Sequence, residues 1–379
     1  MASVVAFAAT DIFLPSLPGM AVYFNVSDEL AQFALPIFLL GELLAALIWG
    51  VISDYLGRKP VILAGMIIFL LGTIICIFST SIYVFLFGRF VQGVGAIVVP
   101  VVGWAAIQDL YPSDESAKIM AWVGGLISVG PMVAPAVGGY IDVNYGWRGS
   151  FTLLIIITIL YLIAMFIVKF PVAHTATQRP SAIRTFKTYK TILSNPKFLS
   201  YVSLFAFLAS GEWCYFAMVP FYFEDHLFVS PDHVGLYIAL AASAYILGTL
   251  ISPELLKRRN LDQVLGYGIY SGLIGACLLL IVYWVAPTYP FPITLSIGVY
   301  FIGAAMVWTC SVSRALQCFP HNKGAASAVR SIVCVTFFTL GSFAGSLMDD
   351  STILHLAIFI LATSLITLAI FKNRHIRSA

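Results

Sequence analysis

Charge is what this chain has least of: Asp, Glu, Lys and Arg make up 10% of its 379 residues, against 60% hydrophobic. That scarcity excludes a water-soluble domain, because a mean hydropathy of +0.97 leaves too little polar surface to solvate one. The 6 cysteines, at Cys76, Cys214, Cys277, Cys310, Cys318 and Cys334, include no Cys-x-x-Cys pair. This excludes a disulfide framework and zinc spacing, and they are expected to be small buried hydrophobes. The chain lacks a phosphate-binding glycine loop, so nothing suggests nucleotide hydrolysis. It also lacks the basic start and small-residue cleavage site of a signal peptide, and its first apolar run begins at Met1, which leaves an upstream start open. The formal charge of +3 is too small to suggest nucleic acid or another polyanion as a partner.

What the chain does have is apolar segments of about 20 residues, the length that crosses a bilayer. Breaks at Pro, Gly and charge clusters place spans near 1–24, 30–53, 60–79, 82–110, 116–141 and 150–170, then near 199–223, 233–255, 264–286, 291–314, 324–348 and 352–371. The expected architecture is all-α and integral to the membrane, with twelve helices in two pseudo-symmetric six-helix bundles. Its domains are 1–170, a cytoplasmic linker 171–198, and 199–379 with a short cytoplasmic tail. Of the 20 Lys and Arg, all but Arg89, Arg148 and Arg330 fall on one side, which the positive-inside rule makes cytoplasmic, together with both termini. The linker's latter part, Ala182 to Leu193, is either a basic helix on the anionic inner leaflet or a solvated tether. A weak repeat relates Ala6–Asp11 to Ala206–Glu212 with one residue inserted. It fits two halves built on one plan around a midplane site, although chance likeness between apolar segments is a rival.

A carboxylate or guanidinium at the centre of a span costs roughly 2.5–3.5 kcal/mol on insertion scales, so each one needs a reason. Asp11 lies beside Pro15 and Pro18, which remove backbone donors and permit a kink. A cavity acid that binds protons or substrate suits that position, and a static pair with Arg89 is the alternative. Arg89 must find an acid, a carbonyl or water; Gln92 lies one turn on, while Gly88, Gly93 and Gly95 allow close helix approach. Glu212, beside Trp213 and Tyr215, is either a second cavity acid or the neutraliser of Arg330. Glu42 is a candidate for the cavity edge. Gly130, Pro131, Pro135, Gly138 and Gly139 in the fifth span form a kinked, close-packed mechanical element. Tryptophans and tyrosines, among them Trp104, Trp122, Tyr245, Tyr300 and Trp308, either mark interfaces or line a cation-attracting wall. The outer loop Glu224-Asp225-His226 with Asp232 and His233 is the best candidate for the metal site of a membrane enzyme, but a solvated loop with Asp232 capping the next helix explains it better.

The tight turn Gly50-Val51-Ile52-Ser53-Asp54-Tyr55-Leu56-Gly57-Arg58-Lys59 satisfies at Gly50, Asp54, Tyr55, Gly57, Arg58 and Lys59 the loop motif of the major facilitator superfamily. Arg89, Gln92 and Gly93 meet its fourth-span pattern, and Thr10, Asp11, Pro15 and Pro18 its first. The fifth-span antiporter pattern is met by Gly130, Pro131, Pro135, Gly138 and Gly139, followed by Gly146-Trp147-Arg148. Over almost its whole length the chain resembles that superfamily's twelve-span drug–proton antiporters of the bicyclomycin-resistance (Bcr/CflA) type. The resemblance implies multidrug efflux across the cell inner membrane by alternating access, driven by the proton gradient with no cofactor. It implies Asp11 as the proton and substrate acid, Arg89 as its coupling partner, and Asp54 with Arg58 as a cytoplasmic latch between the halves. Partners would be a small organic substrate, protons and lipid, with the protein working as a monomer. Glu212 and Arg330 depart from the family pattern and leave the substrate's charge open. A dedicated metabolite or siderophore carrier on the same fold is the alternative.

Overall fold

The computed structural model describes residues 8–111, 113–167, 182–320 and 322–373, and among them every regular element is helical. A helix satisfies its own backbone groups, which hydrocarbon cannot do for it. Ten segments among the described residues have the length and apolarity of a membrane span. The other two expected spans are the first, of which residues 1–7 lie outside the described residues, and the fifth, a helix over Ser113–Tyr145. Contacts divide the chain into two units, Met1–Ala182 and Ile183–Ala379. The division falls inside the expected linker, whose earlier part, residues 171–181, lies outside the described residues, as do the last residues of the sixth span, 168–170.

In the first unit, residues 8–11 are helical; the chain then turns and passes through a 3-10 turn, Leu14–Ser16, into α1 (Leu17–Phe24). Pro15 sits at the start of that turn, where it cannot donate to a continuing helix. Asn25, left-handed at φ 54°, ends α1. After α2 (Asp28–Gln32) and α3 (Ala34–Leu56), Gly57 alone separates α3 from α4 (Arg58–Phe78). Its φ of 86° is one an L side chain rarely adopts, so the turn needs glycine there.

Helix α5 (Ile82–Ala96) packs against both α3 and α4. A Cβ on Gly93 would run into the Phe38 backbone of α3, and one on Gly72 of α4 into the Gln92 backbone, so small residues set the helix spacing. A π turn over Val99–Gly103, with Pro100 in its first positions, leads to α6 (Trp104–Leu110). The long α7 (Ser113–Tyr145) contains Pro131 and Pro135, and Gly138 brings it against the Ile12 carbonyl. Helix α8 (Arg148–Ile167) packs on α4. At its start, Arg148 donates to the carbonyls of Ile77 (2.9 Å) and Ser79 (3.1 Å), a cation at the C-terminal end of α4.

The second unit comprises α9 (Ala182–Leu193), α10 (Pro196–Phe221), α11 (Pro231–Leu256), α12 (Leu261–Val285), α13 (Pro290–Gln317), α14 (Lys323–Ser346) and α15 (Leu354–Lys372). Asn195 caps α10 by accepting from the Phe198 N–H at 2.9 Å, and Asn260 with Gln263 forms a capping box on α12. Helix α10 is the central element, in contact with α13, α14 and α15 and buried along most of its length. Tyr300 of α13 ties to it by donating to the Leu208 carbonyl at 2.6 Å.

Two sequence expectations need correction. Ser230, not Asp232, occupies the cap position of α11; Asp232 lies in the first turn and accepts from the Ser230 hydroxyl at 2.5 Å. Of the cysteines, Cys76, Cys214, Cys310 and Cys334 are buried, but Cys277 is exposed and Cys318 partly so. On a lipid-facing helix surface an apolar thiol needs no burial in protein.

Candidate functional site

The helix break after Asp11 leaves last-turn carbonyls free for side chains. One of them, at Ala9, accepts from Arg89 Nη1 at 3.2 Å, and the Ala34 carbonyl of α3 accepts from Nε at 3.2 Å. The same Nη1 donates to Gln92 Oε1, one turn along α5. Gln92 Nε2 in turn donates to Thr73 Oγ1 of α4 at 2.9 Å, and Thr73 donates to the Phe69 carbonyl at 2.8 Å. Phe13 and Phe38 place their ring faces 4.0 and 4.3 Å from the guanidinium carbon. Arg89 is 0% exposed, so a polar network and two aromatic rings replace its hydration shell.

Asp11 is 4% exposed and forms no direct ion pair with Arg89 among the described residues. The two interact electrostatically across the gap, and Glu42 joins them. Glu42 lies one turn beyond Phe38 on the same face of α3, which brings it to this group. The first unit therefore gathers two carboxylates around one buried guanidinium, with Arg89 Nη2 left without a partner. Such a group can hold a proton or a cation on either acid while the arginine stays fixed.

In the second unit, Glu212 on α10 is 7% exposed, and its Oε1 has no hydrogen-bond partner. Beside it, Trp213 stacks on Phe338 at 5.3 Å. Among the described residues Glu212 makes no ion pair with Arg330, so neutralisation by direct contact does not occur. Between α10 and α11, His226 approaches Asp350 at 3.8 Å, and His233 in the first turn of α11 approaches Asp232 at 3.3 Å.

At the turn between α3 and α4, Arg58 donates to Asp54 (2.7 Å), Ser53 Oγ (2.5 Å) and Asp109 of α6 (2.8 Å). These partners all lie in the first unit. Gly50 faces Val101 at ordinary contact distance, and Lys59 is the second residue of α4. Gly130, Gly138 and Gly139 are buried along α7, with Pro131 and Pro135 inside the helix.

Sequence reasoning missed Thr73, Phe13, Phe38 and the two carbonyl acceptors of Arg89, as well as Asp109. Asp109 left a faint signal, as an acid just before Tyr111-Pro112 at the end of a span. Thr73 and the phenylalanines left none, since one threonine or two aromatics in apolar spans are unremarkable.

The model of the Major Facilitator Superfamily matches residues 1–346, and the chain belongs to that superfamily. It is a multi-pass membrane transporter of small substrates and not an enzyme. It is 26% identical to the chloramphenicol resistance protein CraA of Acinetobacter baumannii, over 88% of this chain and 80% of that one. It is also 26% identical to multidrug resistance protein D of Escherichia coli K12, over 85% of this chain and 80% of that one. Its fold matches the xylose transporter XylE from E. coli, in a partially occluded inward-open conformation, with a TM-score of 0.74 at 15% identity, covering 98% of this chain and 94% of that one.

Proposed function

We propose that this transporter is a proton-coupled antiporter that exports small organic compounds across the cell inner membrane, of the bicyclomycin-resistance type. The observation that carries the reading is Asp11: a carboxylate 4% exposed, at a helix break, facing a guanidinium with which it does not pair. An acid locked in a salt bridge would hold one charge state, whereas one held apart from its cation can exchange a proton for a cationic solute. Relatives named for chloramphenicol and multidrug resistance support efflux as the direction. In this reading deprotonated Asp11 takes substrate from inside, and a proton arriving from outside displaces it as access alternates. Glu42 and Glu212 are further acids for cation or proton, Arg89 sets the charge balance at Asp11, and Gln92 with Gly93 holds Arg89 in place. Gly50, Asp54, Gly57, Arg58 and Lys59, together with Gly130, Pro131, Pro135, Gly138 and Gly139, serve the moving parts. The proton gradient is the energy source, at about 2.3 kcal/mol per charge per 100 mV, no cofactor takes part, both termini are cytoplasmic, and the monomer suffices.

The test uses inverted membrane vesicles with a pH-sensitive dye, an imposed proton gradient, and additions of tetraphenylphosphonium, ethidium, chloramphenicol and benzoate. Dye recovery with several compounds in wild type and none with Asp11→Asn is the expected result. Recovery undiminished in Asp11→Asn would sink the assignment, and recovery with one compound alone would establish a dedicated carrier.

A further inference from the structure

The second unit holds a guanidinium that its own unit does not satisfy. Arg330 lies about two turns into α14, and its Nε and Nη1 are shut off from solvent without a hydrogen-bond partner. Its Nη2 donates to Ser331 Oγ at 3.3 Å, and its guanidinium carbon lies 4.5 Å over the Trp308 ring. A ring face attracts the charge but accepts none of the in-plane N–H bonds, which still need an oxygen. No carboxylate among the described residues comes within ion-pair distance. Glu212, the buried acid of the same unit, stands apart, with Tyr245 of α11 in electrostatic contact with both. Arg89 makes the contrast plain: its Nε and Nη1 bond to two carbonyls and an amide of its own unit, whereas the same two atoms of Arg330 bond to nothing.

Arg330 faces a narrow cleft, closed even to a water molecule in this conformation, shared with Phe205 of α10, Trp308 and Ser311 of α13 and Cys334 one turn further along α14. Phe205 packs edge-on to Trp308 at 4.5 Å and to Phe338 at 6.2 Å, so the ring beside the arginine belongs to an aromatic cluster. A single fixed charge set in an apolar, aromatic slot selects a ligand with a flat apolar body and one opposite charge. Carboxylate fits guanidinium better than any neutral acceptor, because both partners of the hydrogen bond are charged.

We propose that Arg330 is an anion-binding residue that takes the carboxylate of a small aromatic acid, whose ring packs on Trp308 and Phe205. Its Nε and Nη1 donate to the carboxylate oxygens, and the narrow cleft opens by displacement of the guanidinium from the Trp308 ring. The site deepens the transporter reading by naming a class of solute, and it rests on that reading only for what is carried, since binding needs no gradient.

The test is calorimetry on the full-length protein in lipid nanodiscs, with phenylacetate, phenylacetamide and phenethylammonium as probes. Wild type is expected to bind phenylacetate at least tenfold more tightly than the neutral amide. Arg330→Gln should erase that preference, Arg330→Lys should keep part of it, and Trp308→Leu should weaken acid and amide alike. Equal affinity for acid and amide in wild type, or unchanged phenylacetate binding in Arg330→Gln, would overturn the proposal. If Arg330→Gln does not elute as folded protein, the wild-type comparison and Arg330→Lys still decide. Because no proton flux is measured, a failure of antiport in vesicles leaves this result readable, and the reverse holds too.

Discussion

Arg89 shows how a membrane protein can bury a full charge: two carbonyls, one side-chain amide and two ring faces stand in for water. Gln92 is the hinge of that arrangement, accepting from the guanidinium and donating to Thr73. Gln92→Leu keeps the volume but removes one buried partner from Arg89 and one from Thr73, so it should destabilise the detergent-solubilised protein by about 1–3 kcal/mol, read as a lower Tm. Arg89→Lys keeps the charge and loses the planar fork, and the proposed proton-coupled export should fall at least tenfold with insertion intact, as checked by dye recovery against protein content. That Arg89 needs partners follows from its residue type and its position in an apolar span. Gln92 was legible as a residue one turn on; the Ala9 and Ala34 carbonyls, and Thr73 behind Gln92, were not, because they are far from Arg89 in the chain and share no period with it.

At the level of elements, glycine decides how closely helices approach. Gly93 rests on the Phe38 backbone, so Gly93→Val should force α5 away from α3 and disturb the seat of Arg89 with it. The expected outcome is loss of folded protein in size-exclusion analysis, while Gly19→Ala, which meets open space on α1, should behave as wild type. Gly57→Ala places a Cβ at φ 86° and should cost roughly 1–2 kcal/mol in thermal stability. Arg58 links the start of α4 to Asp109 at the end of α6 through a partly exposed pair. Such a pair contributes on the order of 1 kcal/mol or less, so Asp109→Asn should lower the Tm slightly and the difference should shrink in high salt. The glycines and Asp54–Arg58 were legible as a motif, but the third member of that contact, Asp109, required the fold of α6 back toward the turn.

On the scale of the whole molecule, the charge pattern predicts sidedness. On a cysteine-free background, a cysteine at Lys190 or Lys257 should react with a membrane-impermeant maleimide in inverted vesicles, and one at Asp232 or Asp349 only in intact cells. The opposite pattern would reverse the topology. Membrane class, helical content and the approximate ends of the spans were legible from hydropathy and charge, because a helix in hydrocarbon satisfies its own backbone and needs only length and apolarity. The breaks in that regularity at Pro15 and Gly57 followed from a missing donor and a permitted dihedral, which act locally, whereas α7 runs on through Pro131 and Pro135. Which rings cover Arg89, which acids surround it without touching it, and that Arg330 is left without an acid were settled by helix crossings. Those crossings depend on contacts between side chains distant in sequence, so no local pattern carries them.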